Sequence, residues 1–193
     1  MGVFWGLRRL ADDSGRFMVL DLREAEGDLL IDLIEGLAPF ATGVVLLPEA
    51  VPVWRRYGSP RIGRIDAVTD MAALTEAKQR GADAVLADAS LGAAATALQL
   101  ARFGRDAAAD VGLMAGALLD LLVVEAPLDA LPPGVVGHWA TGAFFAPVRM
   151  GDRAARRRHI ADDLVVALQR LNVAALDGPK PTWIETARED PRS

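Results

Sequence analysis

Short apolar runs alternate along this chain with longer amphipathic segments, and this alternation constrains the fold more than any other feature. The predicted strands are short β-branched or Leu-rich runs, and they lie at residues 17–22, 43–47, 62–68, 84–88 and 121–125. Polar or helix-like stretches separate them. Such a pattern is typical of β/α units that build a parallel sheet. We therefore predict an α/β fold with a helix after most of its strands.

The helix predictions depend on apolar spacing and on capping residues. Leucines and isoleucines at spacings of three and four predict a helix over 28–37. Thr69 is expected to cap a helix that Gly81 ends, and Asp152 is expected to cap the last helix. The Ala-rich stretch 93–108 is predicted to form one long helix.

The length of the chain limits how complete the fold can be. The chain has 193 residues, whereas a complete eight-fold β/α barrel usually takes about 250 residues. We predict one β/α domain over residues 1–175, followed by a polar C-terminal tail over 176–193. The expected architecture is a reduced or incomplete TIM-like barrel, with an open, doubly wound parallel sheet as the alternative. No Gly-rich phosphate loop favours a dinucleotide-binding or P-loop fold.

Composition narrows the class of protein. The net charge of −5 argues against a general nucleic-acid binder. The absence of cysteine excludes disulfides, thiolate nucleophiles and Cys-ligated metal sites. Asp120 and Glu125 interrupt the most apolar window, so we expect a buried segment there, no membrane span and a cytoplasmic location. His138 and His159 lack metal-ligand spacing, and we expect neither a metal site nor a cofactor.

A polar signature follows the first apolar run, in the stretch GRFMVLDLREA. It resembles the first barrel strand of the class I aldolases that cleave tagatose bisphosphate or sulfofructose phosphate, where the strand ends in D-Q-R-G or D-Q-R-E-A. Asp21, Arg23 and Glu24 match that signature, and Leu22 replaces the Gln. The stretches GLAPFATGVVLLPEA, AKQRGADAVLADAS and DLLVVEAPLD are similar to later strands of the family. The resemblance spans residues 5–130 and implies a barrel fold.

The chain departs from this family at its lysines. The family carries a Schiff-base lysine on the sixth strand and a second lysine at the end of the fourth, and Val123 and Leu86 stand in those slots. A Schiff base requires a primary amine. The chain's only lysines are Lys78, on a predicted polar helix face, and Lys180, in the tail. The resemblance therefore implies that the amine chemistry has been lost.

The carboxyl ends of the predicted strands supply the candidate catalytic residues, since barrel enzymes place their chemistry at that edge. The candidates are Asp21, Arg23, Glu24 and Glu125, and Asp88 ends the fourth strand. Carboxylates there can act as general acid and base or hold a divalent cation. Alternatively, these residues are polar because strand ends meet loops and water.

A cluster of cations stands in the first turns of the last predicted helix: Arg153, Arg156, Arg157 and Arg158. Cations oppose the helix dipole at that end, and a bound anion would relieve the conflict. This reasoning makes Gly151, Arg153 and Arg156 a candidate phosphate site. The alternative is a solvated basic face that pairs with Asp162 and Asp163.

Trp139, Phe144 and Phe145 form an aromatic cluster that is either part of the core or an exposed patch for a partner. We expect a homo-oligomer or a complex with a related full-length subunit. The first function hypothesis is a non-catalytic aldolase-like protein that binds a sugar phosphate and has a regulatory or structural role. The alternative is a lyase or isomerase acting on a phosphorylated or sulfonated sugar through carboxylates, with or without a divalent metal. If the protein is an enzyme, the resemblance implies a carbon–carbon lyase.

Overall fold

A parallel sheet forms the centre of the fold in the computed structural model, which describes residues 17–104, 113–114, 117–118, 121–124 and 137–176. Within these ranges, seven strands form the sheet, in the order β5-β4-β3-β2-β1-β9-β8, and β6 and β7 form a separate antiparallel pair. The strands are β1 (Phe17–Asp21), β2 (Gly43–Leu46), β3 (Gly63–Ala67), β4 (Ala84–Ala87), β5 (Ala101–Gly104), β6 (Leu113–Met114), β7 (Ala117–Leu118), β8 (Leu121–Val124) and β9 (Gly137–Ala140).

Helices follow most of these strands. The α-helices are α1 (Gly27–Gly36), α2 (Val51–Tyr57), α3 (Met71–Gln79), α4 (Gly92–Ala97), α5 (Ala146–Arg149), α6 (Arg153–His159) and α7 (Val165–Leu176). A π-helical turn, Ile160–Leu164, joins α6 to α7, and three 3₁₀ turns lie at Ala38–Phe40, Pro48–Ala50 and Ala89–Leu91. No described helix is both long enough and apolar enough to cross a membrane.

The described helices that supply the apolar core pack on one face of the sheet. Leu20 and Leu46 point to that face and contact a cluster that includes Leu33 of α1. Further along the sheet, Val85 of β4 packs in the same way with Leu74 of α3. A doubly wound sheet would carry helices on both faces, so this arrangement favours a barrel-like architecture.

The opposite face of the sheet curls around a second layer of buried side chains. Phe103 of β5 and Trp139 of β9 belong to this face, and their ring centroids lie 5.4 Å apart. In the strand order, β5 and β9 are five positions apart, which on a flat sheet is about 24 Å at the usual strand spacing. Ring contact across that span requires strong curvature. The fold is therefore an α/β structure with a curled parallel sheet, consistent with an incomplete α/β barrel.

Five predicted strands are confirmed. Those at 17–22, 43–47, 62–68 and 84–88 correspond to β1 to β4 with ends shifted by at most one residue, and the strand at 121–125 corresponds to β8 as far as Val124. The predicted helix over 28–37 is α1. The opening segment 1–16, the tail from 177 onward and Glu125 lie outside the described residues.

The prediction of one long helix over 93–108 is wrong. Helix α4 ends at Ala97, and Gln99 adopts a left-handed backbone conformation with φ of 57°. The amide of Leu100 returns to the carbonyl of Ala95 at 2.9 Å and closes the helix end. The chain then pairs with β4 as β5. Tertiary pairing here outweighs the helix propensity of an Ala-rich stretch.

The capping predictions were correct at two positions and wrong at one. Asp70, not Thr69, caps α3, because its Oδ1 accepts a hydrogen bond of 2.8 Å from the amide of Ala73. Gly81 ends that helix with φ of 76°, as predicted. Asp152 caps α6 through a 2.8 Å hydrogen bond from the amide of Ala155. Each of the two aspartates satisfies an otherwise unpaired helix amide.

Candidate functional site

Asp21 and Arg23 form the centre of the candidate site at the carboxyl end of β1. Asp21 is the last residue of the strand and is buried. Its Oδ1 accepts a 2.9 Å hydrogen bond from Arg23 Nε, and its Oδ2 accepts one of 2.7 Å from Arg23 Nη2. This two-point pairing fixes the plane of the guanidinium. The Arg23 side chain keeps 30% of its surface exposed, so the buried carboxylate orients a cation that still reaches solvent.

Trp139 completes the support of Asp21 from the neighbouring strand. Strands β1 and β9 are parallel neighbours, with Val19 opposite Trp139. The indole Nε1 donates a 3.2 Å hydrogen bond to Asp21 Oδ2. The ring itself is buried inside the curled sheet, where it meets Phe103. The carboxylate therefore receives donors from a loop and from a core aromatic, and both limit its movement.

A second ion pair lies at the same edge of the sheet. Arg149 Nη2, at the end of α5, pairs with Glu24 Oε2, in the loop after β1. The same nitrogen donates a 3.2 Å hydrogen bond to the carbonyl of Gly142, in the loop after β9. A Cβ at position 142 would collide with both charged groups. The glycine therefore leaves the space in which this pair meets.

The two guanidiniums share an electrostatic environment. The hydrogen bond to Asp21 has the largest influence on Arg23 and raises the pKa of its guanidinium, while burial works in the opposite direction. The charges of Asp21 and Glu24 raise that pKa further. Glu24 thus pairs directly with Arg149, and its charge also raises the pKa of Arg23. The edge presents two arginines around one exposed carboxylate, which is chemistry suited to binding an anion.

The structure brings together three of the four predicted catalytic residues. Asp21, Arg23 and Glu24 lie in one short segment, and Glu125 falls outside the described residues. Asp88 follows β4 at the carboxyl end of that strand and is exposed. Leu86 is fully buried on the inner face of β4. Lys78 lies on α3, where it is exposed.

The predicted phosphate site at the start of the last helix has an internal anion instead. Asp32 of α1 is buried with no exposed side-chain surface, and three arginines of α6 converge on it. Arg153 Nε and Arg157 Nε donate to its Oδ1 at 3.1 and 2.8 Å, and Arg156 Nη2 lies 2.8 Å from its Oδ2. Burial acts to raise the pKa of Asp32, but hydrogen bonds from the three arginines outweigh it and lower the pKa.

These contacts change the interpretation of the arginine cluster. The alternative of pairing with Asp162 and Asp163 is wrong for Arg153, Arg156 and Arg157, because they pair across to α1. Asp163 instead pairs with His159, which is exposed as predicted. Gly151 adopts φ of 112°, a conformation that few L-residues tolerate. The phosphate role of Gly151, Arg153 and Arg156 stays a prediction, and the cations already have carboxylate partners.

The aromatic cluster belongs to the core. Trp139, Phe144 and Phe145 are each at most 2% exposed, so they do not form a surface patch. Phe144 and Phe145 meet edge to face, with ring centroids 5.4 Å apart. The interpretation as core was therefore correct, and the partner-patch alternative was wrong.

Sequence reasoning missed Arg149 and Asp32. Arg149 follows β9 by less than ten residues, and a cation in the segment after a strand was the available signal. Asp32 interrupts the apolar run of α1, and a charge within such a run was the signal there. Among the described residues, no group of three or more His, Cys, Asp or Glu side chains is arranged to hold a metal ion. In comparisons with known proteins, neither a family model nor a curated protein matches this chain.

Proposed function

We propose that this protein is an aldolase-like, non-catalytic binder of a phosphorylated or sulfonated sugar, with a regulatory or structural role. The observation that carries the proposal is the arrangement of Asp21, Arg23 and Trp139 at the carboxyl end of β1. It supplies a partly exposed guanidinium that a buried carboxylate holds in place. Carboxyl ends of parallel strands are the usual location of ligand sites in α/β proteins.

An oriented arginine favours an oxyanion as ligand. A guanidinium presents its donors in a planar fork that matches phosphate and sulfonate oxygens, and it stays charged at all physiological pH values. Because Asp21 holds Arg23 from the buried side, little side-chain freedom is lost when the exposed side binds a ligand. Arg149 supplies a second cation at the same edge.

The lysine inventory supports a role without Schiff-base chemistry. The whole chain has two lysines, and Lys78 is on the exposed surface of α3. Asp21 is a poor candidate for proton transfer, because both of its oxygens already accept hydrogen bonds from Arg23, and Trp139 adds another. These contacts suit a positioning residue better than a general base. They favour the binding hypothesis over a lyase or isomerase that works through carboxylates.

Calorimetric titration with dihydroxyacetone phosphate tests the proposal. We expect Arg23→Gln to weaken binding about tenfold or more, because hydrogen bonds to charged groups contribute about 1.5–3 kcal/mol. Arg61→Gln is the matched control, since Arg61 is exposed and precedes β3 at the opposite edge of the sheet. Equal affinities for both variants, or no binding by the unaltered protein, would refute the proposed site.

Borohydride trapping separates binding from family chemistry. Incubation with dihydroxyacetone phosphate and borohydride should leave the mass of the protein unchanged, because a covalent adduct requires an imine on a lysine. A stable adduct on Lys78 or Lys180 would contradict the loss of amine chemistry. Release of a cleaved or isomerised sugar without an adduct would favour the carboxylate-based lyase or isomerase.

Assembly with another copy, or with a related full-length subunit, is part of the proposal. The buried aromatic cluster no longer supports it. Light scattering on the purified chain, alone and mixed with a lysine-bearing aldolase of this family, measures it directly. A mass that stays at that of one chain, 20.5 kDa, in both samples would remove this part of the proposal.

A further inference from the structure

The ion pair between Glu24 and Arg149 joins two distant parts of the chain at the mouth of the candidate site. The two residues are 125 positions apart and connect the loop after β1 to the end of α5. Both partners are solvent-accessible, with 68% of the Glu24 side chain and 38% of the Arg149 side chain exposed. Exposed pairs of this kind contribute little to stability. The pair is therefore easy to open.

Arg149 has a second anchor that does not depend on Glu24. Its Nη2 also donates to the carbonyl of Gly142 at 3.2 Å. When the carboxylate moves away, this backbone contact keeps the guanidinium at the edge of the sheet. In the described part of the chain, Arg149 is the only residue that pairs with the Glu24 carboxylate, which lies in an exposed loop before α1. Opening of the pair thus displaces the carboxylate and leaves the cation in place.

Glu24 also acts on the other guanidinium of the site. Its charge contributes to the raised pKa of Arg23, so its carboxylate lies within electrostatic range of that residue while it pairs with Arg149. An anion that takes the position of Glu24 would likewise experience both cations. A phosphate monoester carries a charge of about −1.5 to −2 and three acceptor oxygens, against one negative charge for a carboxylate.

We propose that Glu24 is a built-in competing anion, whose carboxylate occupies the position on Arg149 that a phosphate group of the ligand takes. This inference rests on the proposed function and deepens it. It makes Glu24 a residue that limits affinity and selects for dianionic phosphate esters over singly charged ligands. It also makes Arg149 a direct ligand contact, a role that the sequence analysis did not assign to it.

Titration of three variants with dihydroxyacetone phosphate tests the inference. Glu24→Gln should tighten binding about two- to fivefold, because it removes the competitor and keeps the shape of the side chain. Arg149→Gln should weaken binding about tenfold. The matched control is Glu26→Gln, which removes the same charge two residues away. Glu26 is exposed and its side chain makes no cap hydrogen bond to α1, so this variant should bind as the unaltered protein does.

The outcomes separate this inference from the proposed function. If Glu24→Gln binds no more tightly than Glu26→Gln while Arg23→Gln weakens binding about tenfold or more, the competing-anion role is wrong and the site stands. If both glutamate variants tighten binding equally, the effect is general electrostatics and the inference also fails. If neither the unaltered protein nor any variant binds dihydroxyacetone phosphate, the proposed function itself is overturned. Thermal melting of each variant verifies that it is folded.

Discussion

Replacing Asp32 by Asn tests one electrostatic feature of the fold, the convergence of three arginines on one buried carboxylate. The substitution keeps the shape of the side chain and removes its charge. Asp32 has no exposed side-chain surface and Arg156 has 10%, so the variant leaves a buried guanidinium without its counter-charge. Breaking a buried ion pair from one side costs about 3–5 kcal/mol. Arg153 and Arg157 are about half exposed, so the loss of their pairing with Asp32 adds little to this cost.

That loss is a large share of the total, since domains have unfolding free energies of about 5–15 kcal/mol. Urea unfolding, followed by circular dichroism, measures it. At a slope of about 2 kcal/mol per molar urea, the midpoint should fall by about 2 M. Asp28→Asn is the matched control, because Asp28 is 63% exposed and lies 3.9 Å from Arg153. It should cost less than about 1 kcal/mol.

One further measurement decides the interpretation of Asp32→Asn. Replacing Arg156 by Met in the same variant removes the uncompensated charge and should recover most of the lost stability. Two results would contradict this account of the buried network. One is that Asp32→Asn lowers the free energy of unfolding no more than Asp28→Asn does. The other is that the double variant is less stable than Asp32→Asn alone.

The pH dependence of stability should change in the same variant. The arginine hydrogen bonds lower the pKa of Asp32 in the folded state despite its burial. Stability from this group is therefore fully present above the pKa of an unfolded Asp, about 3.9, and is lost as pH falls through the lower folded value. In Asp32→Asn, the free energy of unfolding should therefore fall less steeply as the pH drops below about 4. An unchanged acid limb would contradict this role.

Three other substitutions have defined expectations. Phe103→Ala removes the ring that meets Trp139 inside the curled sheet; it should cost about 3–5 kcal/mol in urea unfolding and shift tryptophan emission to the red. Gly151→Ala should cost about 1–3 kcal/mol, because alanine is strained at φ of 112°; a neutral effect would argue against that strain. Asp21→Asn should weaken dihydroxyacetone phosphate binding about tenfold by loosening Arg23, and unchanged affinity would show that the anchor is dispensable.

The parts of the fold that sequence predicts well are those set by local pattern. Strands β1, β2 and β4 lie in apolar runs because both of their faces are buried. Strand β3 instead contains the buried ion pair of Arg64 and Asp66. Asp152 and Gly81 mark helix ends through local hydrogen bonds or backbone conformation. In contrast, β5 becomes a strand only through its pairing with β4. No local signal in an Ala-rich segment reports that pairing.

The same distinction between local pattern and long-range contact applies to the candidate site. Asp21, Arg23 and Glu24 are adjacent in sequence and were predicted together. The partners that define their roles are Trp139 and Arg149, which lie more than 100 residues away. A sequence pattern shows which groups stand at a strand end. It does not show that Asp21 is fully engaged by donors, and that engagement separates a positioning residue from a catalytic one.

The place of β1 in the sheet has a consequence for biosynthesis. Strand β1 lies between β2 and β9, and its contact with Trp139 spans 118 residues. During translation, β1 to β5 emerge long before β9, so β1 has an unpaired edge until the later strand arrives. Sheets with such distant pairings fold slowly, and unpaired edges promote aggregation. We therefore expect the nascent chain to pass through an aggregation-prone stage. The yield of folded protein should then depend on chaperones and on temperature.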